Sequence, residues 1–247
     1  MIQFLDKLFH NRYSFPSLNT SRFKKHSSCV PFVLPDFKCK VVVGDYDRSR
    51  VAALASAIGL ISQNDISFVS LEARRDLHTF RVMDPVCDGE TFYQNAFIKA
   101  RHYADYTQWP CIAEDHGLVV YALHGEPGVH SERYKFPQLM CYRDQERQVI
   151  QDMEGVRDRR CAYCLSICLA HPKKPEVLHW SSHIMGEIAH DLEGQGTLYQ
   201  TIFYLRNIRR TLGQLSLPEK YLFSFWHGCV EQIRDDYPKI KEFLMTD

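Results

Sequence analysis

No apolar run in this 247-residue chain reaches the length that spans a bilayer, so the sequence predicts no membrane contact. Net charge is missing too: 30 Lys and Arg balance 30 Asp and Glu. A neutral chain has no broad field with which to capture nucleic acid, and no nucleic-acid partner is expected. Internal repeats and low-complexity tracts are absent, which excludes solenoids and collagen-like rods. The first 29 residues lack the apolar core of a secretory signal. The nine cysteines are scattered and form no paired framework, so they read as reduced thiols in a cytoplasmic setting. Cys161-Ala162-Tyr163-Cys164 has half of a zinc pattern, but no second pair follows it at metal spacing.

What remains is an ordinary globular composition, 45% hydrophobic and 24% charged, long enough for a substantial core. Residues 1–39 stand apart as a basic, Ser-rich N-terminal extension. Its first 29 residues hold one acid, Asp6, against five Lys or Arg. An organelle-targeting arm has this composition, and so does a loosely packed terminus, the reading adopted here. Residues 40–247 form the domain. Lys40–Val43 and Ile66–Leu71 read as buried strands, with a helix between them over Arg48–Ile58. Thr91 and Gln94 have capping-box spacing, followed by Phe92, Ala96, Lys99, Ala100 and Tyr103 at helical intervals. Cys111–Ala113 and Leu118–Leu123 read as short strands on either side of an acidic turn. Gln138–Gly155 reads as a polar helix. Tyr163–Ala170 and Val177–Ile188 read as a hairpin closed at Pro172–Pro175. A further strand is expected at Leu198–Leu205, and helix over Pro218–Leu244, interrupted near Pro238. Strands alternating with helices predict a layered α/β fold.

The acidic segment carries the chemical question. In Cys111–Val120, CIAEDHGLVV, two carboxylates and an imidazole stand between apolar runs. A buried carboxylate needs a cationic or hydrogen-bonding partner. Asn95 and Lys99, four apart on one helix face, are candidates: Lys99 for a phosphate or an internal ion pair, Asn95 for a neighbouring loop. In Pro127-Gly128-Val129-His130-Ser131, the Pro-Gly turn would carry Ser131 and Arg133 inward. Arg133 suits either a structural carboxylate or a ligand. His116 fits a base, a ligand for a softer metal, or a partner for Glu114, and the last is preferred. His179 and His183, four apart on an expected strand, suggest at most a transition-metal pair.

Three linked segments carry a resemblance. Gly89, Thr91, Phe92, Asn95, Ala96, Lys99 and Ala100 come first. Ala113, Glu114, Asp115, Gly117 and Leu118 follow, then Pro127, Gly128, Ser131, Arg133 and Tyr134. In order and spacing they resemble the inosine triphosphate pyrophosphatase family, enzymes that hydrolyse non-canonical purine nucleoside triphosphates to monophosphate and pyrophosphate. A looser likeness covers about residues 40–235. The resemblance implies a long central mixed sheet with helices on both sides, two lobes around a cleft, a homodimer, a nucleoside triphosphate substrate and Mg²⁺. It implies Asp115 as the catalytic carboxylate, and Asp88, Glu114 and Asp115 as metal ligands. It implies Arg50, Lys99, Ser131, Arg133, Tyr199, Lys220 and His227 as substrate contacts.

The chain departs from the family pattern at named positions. Asp47 stands where the family has a phosphate-binding Asn, and Cys87 where it has a metal-binding Glu. A thiol is a poor ligand for Mg²⁺, so Asp88 is expected to substitute. The base-pocket segment is Thr197-Leu198-Tyr199-Gln200-Thr201, with only Tyr199 retained. The base-reading His-Arg is replaced by Phe225 and Trp226, which stack or enter the core. Two functions follow: a divergent pyrophosphatase, or a non-catalytic nucleotide-binding or regulatory protein on the same scaffold.

Overall fold

The computed structural model describes residues 39–44, 66–71, 84–135, 138–139, 141–216, 219–220, 223 and 226–245. Nearly all of the N-terminal extension lies outside them. So do the helix expected at 48–58, Asp47, Arg50, Ser224 and Phe225.

Described elements are numbered in chain order. The strands are β1 (Cys39–Val43), β2 (Ile66–Ser70), β3 (Cys111–Val120), β4 (Arg160–Ala170), β5 (Val177–Ile188), β6 (Phe203–Leu205) and β7 (Arg210–Thr211). The helices are α1 (Phe92–Thr107), α2 (Tyr142–Asp152), α3 (Trp226–Asp235) and α4 (Tyr237–Met245). The seven strands form one mixed sheet in the order β2-β1-β3-β4-β5-β6-β7. β1 is parallel to both β2 and β3. The β3–β4 and β4–β5 pairs are antiparallel along most of their length.

Side chains alternate across a strand, and the apolar positions use both faces. Val42, Cys111, Ala113, Cys168 and Ala170 pack on one face against Ala96, Ala100, Tyr103 and Ala104 of α1. The small residues there let the helix approach closely. On the other face Val41, Val43, Ile112, Leu165, Ile167 and Leu169 meet Cys229, Ile233, Ile240, Phe243 and Leu244 of α3 and α4. Farther along the same strands, Leu118, Val120, Tyr163, Ile188 and Phe203 join Val149 and Met153 of α2 in a second core. Helices on both sides of a long mixed sheet, with three core clusters between them, match the architecture expected.

α1 begins as the capping-box spacing predicts. Gln94 N donates to Thr91 Oγ1 at 3.2 Å, and Thr91 N donates to Gln94 Oε1 at 3.2 Å. Three expectations need correction. The acidic segment is not a turn between two short strands: Cys111–Val120 is one strand of ten residues. Its charged residues have partners on both sides, so the ladder runs through them. The expected strand at Leu198–Leu205 is a strand only over Phe203–Leu205. Leu198 and Tyr199 adopt left-handed φ of 52° and 66°, which ends any extended run there. The polar helix is shorter than Gln138–Gly155, spanning Tyr142–Asp152.

Candidate active site

β3 is the spine of the site. Its odd-numbered residues face α1, so Asp115 projects beneath the helix that carries Asn95 and Lys99. Lys99 Nζ donates to Asp115 Oδ1 at 2.7 Å and to the Glu114 carbonyl at 3.2 Å. Asn95 Nδ2 donates to Asp115 Oδ2 at 3.2 Å, while Asn95 Oδ1 accepts from Gly89 N at 2.9 Å. One amide therefore ties the loop before α1 to the carboxylate in β3.

Burial pushes the Asp115 carboxyl above its ordinary range, while the Lys99 ammonium and the Asn95 amide pull it down. Burial works against the charge on Lys99 as well. The carboxylates of Asp115 and Glu114 outweigh it and push the lysine up to about 12. Lys99 is thus cationic at any physiological pH, and Asp115 is a carboxylate that accepts a proton more readily than a solvated one.

Glu114 turns the other way. Its carboxylate lies 2.7 Å from His116 Nδ1, both side chains being nearly buried. The His116 ring stacks on Tyr163, with centroids 5.8 Å apart. Glu114 also acts electrostatically on Cys229 of α3, on the face of the sheet opposite Asp115.

Gly117 admits the next element. A Cβ there would collide with Ser131 Oγ, and would lie 2.6 Å from the Gly128 carbonyl and 2.9 Å from the Phe92 ring. The 3-10 turn Gly128–Arg133 rests in the space this leaves. Ser131 Oγ accepts from Leu118 N at 2.9 Å and donates to the Gly128 carbonyl at 2.7 Å. Two residues on, Arg133 Nη2 donates to the Cys87 carbonyl at 2.9 Å.

These pieces enclose a cavity of about 560 Å³, a size that suits a small-molecule ligand. Asp84, Cys87, Asn95, Lys99, Asp115, Glu132 and Arg133 line it, together with Glu114 and His116. Of the residues expected to hold metal or substrate, the cavity gathers Lys99, Glu114, Asp115 and Arg133. Asp88 lines a separate depression with Gly89 and Gln94. Ser131 is buried in the seam between the 3-10 turn and β3. Tyr199 is buried, its hydroxyl donating to the Ser131 carbonyl at 2.9 Å. Lys220 Nζ donates to Gln200 Oε1 at 2.8 Å and to the Gln195 carbonyl at 3.2 Å. His227 is half exposed, 3.4 Å from Glu231, and lines another hollow with Met185 and Arg206. Trp226 packs partly against the core.

Sequence reasoning missed Asp84 and Glu132. Asp84 Oδ1 accepts from the Tyr103 hydroxyl at 2.7 Å, a contact between distant residues that no local pattern announces.

The acids suit a hard cation, since carboxylate oxygen is what Mg²⁺ prefers. Asp84, Asp115 and Glu132 outnumber Lys99 and Arg133 in the lining, the Glu114 carboxylate being turned to His116, so a polyanion entering here needs a companion cation. Among the described residues, no three His, Cys, Asp or Glu gather as a ready-made cage. The donor set therefore fits an ion completed by ligand oxygens and water.

Comparison with known proteins bears directly on this geometry. The profile described as "Ham1 family" matches residues 53–236, which include β3, α1 and the Gly128–Arg133 turn. The chain belongs to the Ham1 family. A dITP/XTP pyrophosphatase of Coxiella burnetii is 34% identical over 190 residues, covering 71% of this chain and 94% of that protein. A dITP/XTP pyrophosphatase of Pectobacterium atrosepticum is 28% identical over 189 residues, covering 73% and 89%. Among solved structures, a HAM1 protein from Coxiella burnetii superposes with a TM-score of 0.72 at 29% identity, covering 81% of this chain and 99% of that one. The Staphylococcus aureus Ham1 protein shares the fold, with a TM-score of 0.71 at 24% identity. This Ham1 family member thus keeps the family's sheet while placing Cys87 near Asp115 and pairing His116 with Glu114.

Proposed function

We propose that this Ham1 family member is a nucleoside triphosphate pyrophosphatase acting on non-canonical purine nucleotides. The observation that carries the reading is the Asp115 carboxylate. It is held by Lys99 at 2.7 Å and Asn95 at 3.2 Å, in a cavity of ligand size that Arg133 also lines. Relatives named dITP/XTP pyrophosphatases support the substrate class.

In this reading Asp115 orients the attacking water and accepts its proton as oxygen bonds to the α-phosphorus. The bond to the bridging oxygen breaks, and pyrophosphate leaves with that electron pair. The raised affinity of Asp115 for a proton suits the task, and Lys99 keeps the carboxylate ionised before the step. Arg133 binds phosphate oxygen, a role for which its forked donors are shaped. Mg²⁺ would be held by Asp115 and Asp84, with Glu114 behind them, and when bound it supplies neutralisation of phosphate charge. This reading leaves Asp88 aside, because it lines a different depression.

The proposal extends to a homodimer and to the cytoplasm. Tyr121 and Met185, both exposed and 3.4 Å apart, form an apolar spot that a second copy would cover. The described cysteines are all free, and no described helix is long and apolar enough to cross a membrane. The free thiols agree with a reducing compartment.

The test is pyrophosphate release across a panel of purine and pyrimidine triphosphates with Mg²⁺, for the wild type and Asp115→Asn. Turnover by the wild type and a loss of about a hundredfold or more in the variant are expected. If both are equally inert on every nucleotide, the chain is a binding protein on this scaffold.

A further inference from the structure

Tyr199 has no surface to offer a substrate, being 1% exposed, yet its hydroxyl makes a specific contact. That contact is with the backbone of the turn that carries Arg133. The hydroxyl donates to the Ser131 carbonyl at 2.9 Å. Ser131 is fastened in turn to β3 through Leu118 N, three residues beyond Asp115. Arg133 lies two residues beyond Ser131 and reaches into the cavity.

The loop that presents Tyr199 is itself held in a costly shape. Leu198 and Tyr199 both sit in the left-handed region, which residues with a Cβ avoid. Two supports keep it there. The Tyr163 hydroxyl donates to the Leu198 carbonyl at 3.0 Å, and Gly213 N donates to the Gln200 carbonyl at 2.7 Å. Backbone strain held by surrounding contacts marks a segment whose conformation is used.

We propose that Tyr199 is a positioning residue: its hydroxyl clamps the Ser131 turn against β3 and so sets Arg133 relative to Asp115 for a triphosphate. This inference rests on the pyrophosphatase reading of the cavity. The ring belongs to the second core, and only the hydroxyl belongs to the clamp.

A double-mutant cycle separates the clamp from general stability. Tyr199→Phe keeps the ring and removes the hydroxyl, and Arg133→Ala removes the group being positioned. Tyr199→Phe is expected to raise KM for the best nucleotide about tenfold with kcat within about twofold. Combined with Arg133→Ala, it should add nothing, because the positioned group is already gone. A purely structural tyrosine gives a lower melting temperature and a smaller active fraction with unchanged KM, or effects that add to those of Arg133→Ala. Either result overturns the proposal.

The same cycle, read as Kd for a non-hydrolysable triphosphate, keeps the two ideas distinct. A wild type that binds but does not turn over refutes the enzymatic reading alone, and the coupling in Kd still decides the clamp. A wild type that neither binds nor hydrolyses overturns both.

Discussion

Replacing Lys99 with Met tests the central pair directly. Lys99 Nζ and Asp115 Oδ1 are 2.7 Å apart, with side-chain exposures of 25% and 14%. Opposite charges about 4 Å apart, centre to centre, attract by about 4 kcal/mol at an effective dielectric near 20. Desolvation offsets part of this. Exposed pairs net about 0–1 kcal/mol, whereas breaking a buried pair costs about 3–5 kcal/mol. The exposures place this pair between those limits, so Lys99→Met should lose about 2 kcal/mol of folding stability at pH 7.

The loss should depend on pH, and its sign follows from the surviving carboxylate. Burial already holds the Asp115 carboxyl above its ordinary range, and removing the ammonium deletes the main opposing influence. A carboxyl whose folded pKa is raised contributes stability that is present below its unfolded pKa and lost as pH rises through the folded one. The deficit against wild type should therefore be larger at pH 7 than at pH 4. Denaturant unfolding at both pH values measures it. The acid limb of the pH profile for pyrophosphate release should move to higher pH in the same variant. An unmoved acid limb, together with an equal deficit at both pH values, would refute the assignment of Lys99 as the group that keeps Asp115 charged.

Three further outcomes are expected. Gly117→Ala should cost about 1–3 kcal/mol and most of the activity, because its Cβ would meet Ser131, the Gly128 carbonyl and Phe92; denaturant unfolding with unchanged stability would contradict the seating of the turn. Cys87→Glu should lower the Mg²⁺ concentration giving half-maximal rate, since it puts a carboxylate where a thiol now lies near Asp115, Lys99 and Arg133; an unchanged Mg²⁺ titration would show that Cys87 lies outside the metal's reach. Burial holds the Glu146 carboxyl high, so its stabilising contribution is present below its unfolded pKa and lost as pH rises through the folded one. Glu146→Gln should therefore gain thermal stability over wild type on going from pH 4 to pH 8, and parallel melting curves against pH would count against this.

Much of the scaffold was readable because its signals are local. The capping box at Thr91, the small residues of α1, the apolar run of β4 and the alternation in β5 each declare an element within a few residues. Asp115, Lys99 and Arg133 were readable by motif, and they do line one cavity. The failures involve partners far apart in sequence. Glu114-Asp115-His116 looks like a turn until Lys99 and Asn95, about twenty residues earlier, neutralise and bond Asp115. Leu198–Ile202 has strand-like apolar residues, yet distant Tyr163 and Gly213 hold it in a left-handed turn. Tyr199 matched a base-pocket pattern, and no local signal announced that its buried hydroxyl donates to the distant Ser131 carbonyl. Asp84 carries no local mark, and its bond to Tyr103 joins it to another element.

The through-running strand β3 fixes more than the position of one carboxylate. Successive side chains point to opposite faces, so Asp115 meets α1 while Glu114 and His116 face the other side. Adding one residue between Cys111 and Glu114 would flip every later side chain. Glu114 would come under Lys99 and carry His116 to the same face, Asp115 would turn to the opposite face, and the gap at Gly117 would no longer meet Ser131. This segment can therefore diverge by substitution but not by length. Any lengthening of the chain that keeps the site must fall outside the ladder that β3 shares with β4 along ten residue pairs.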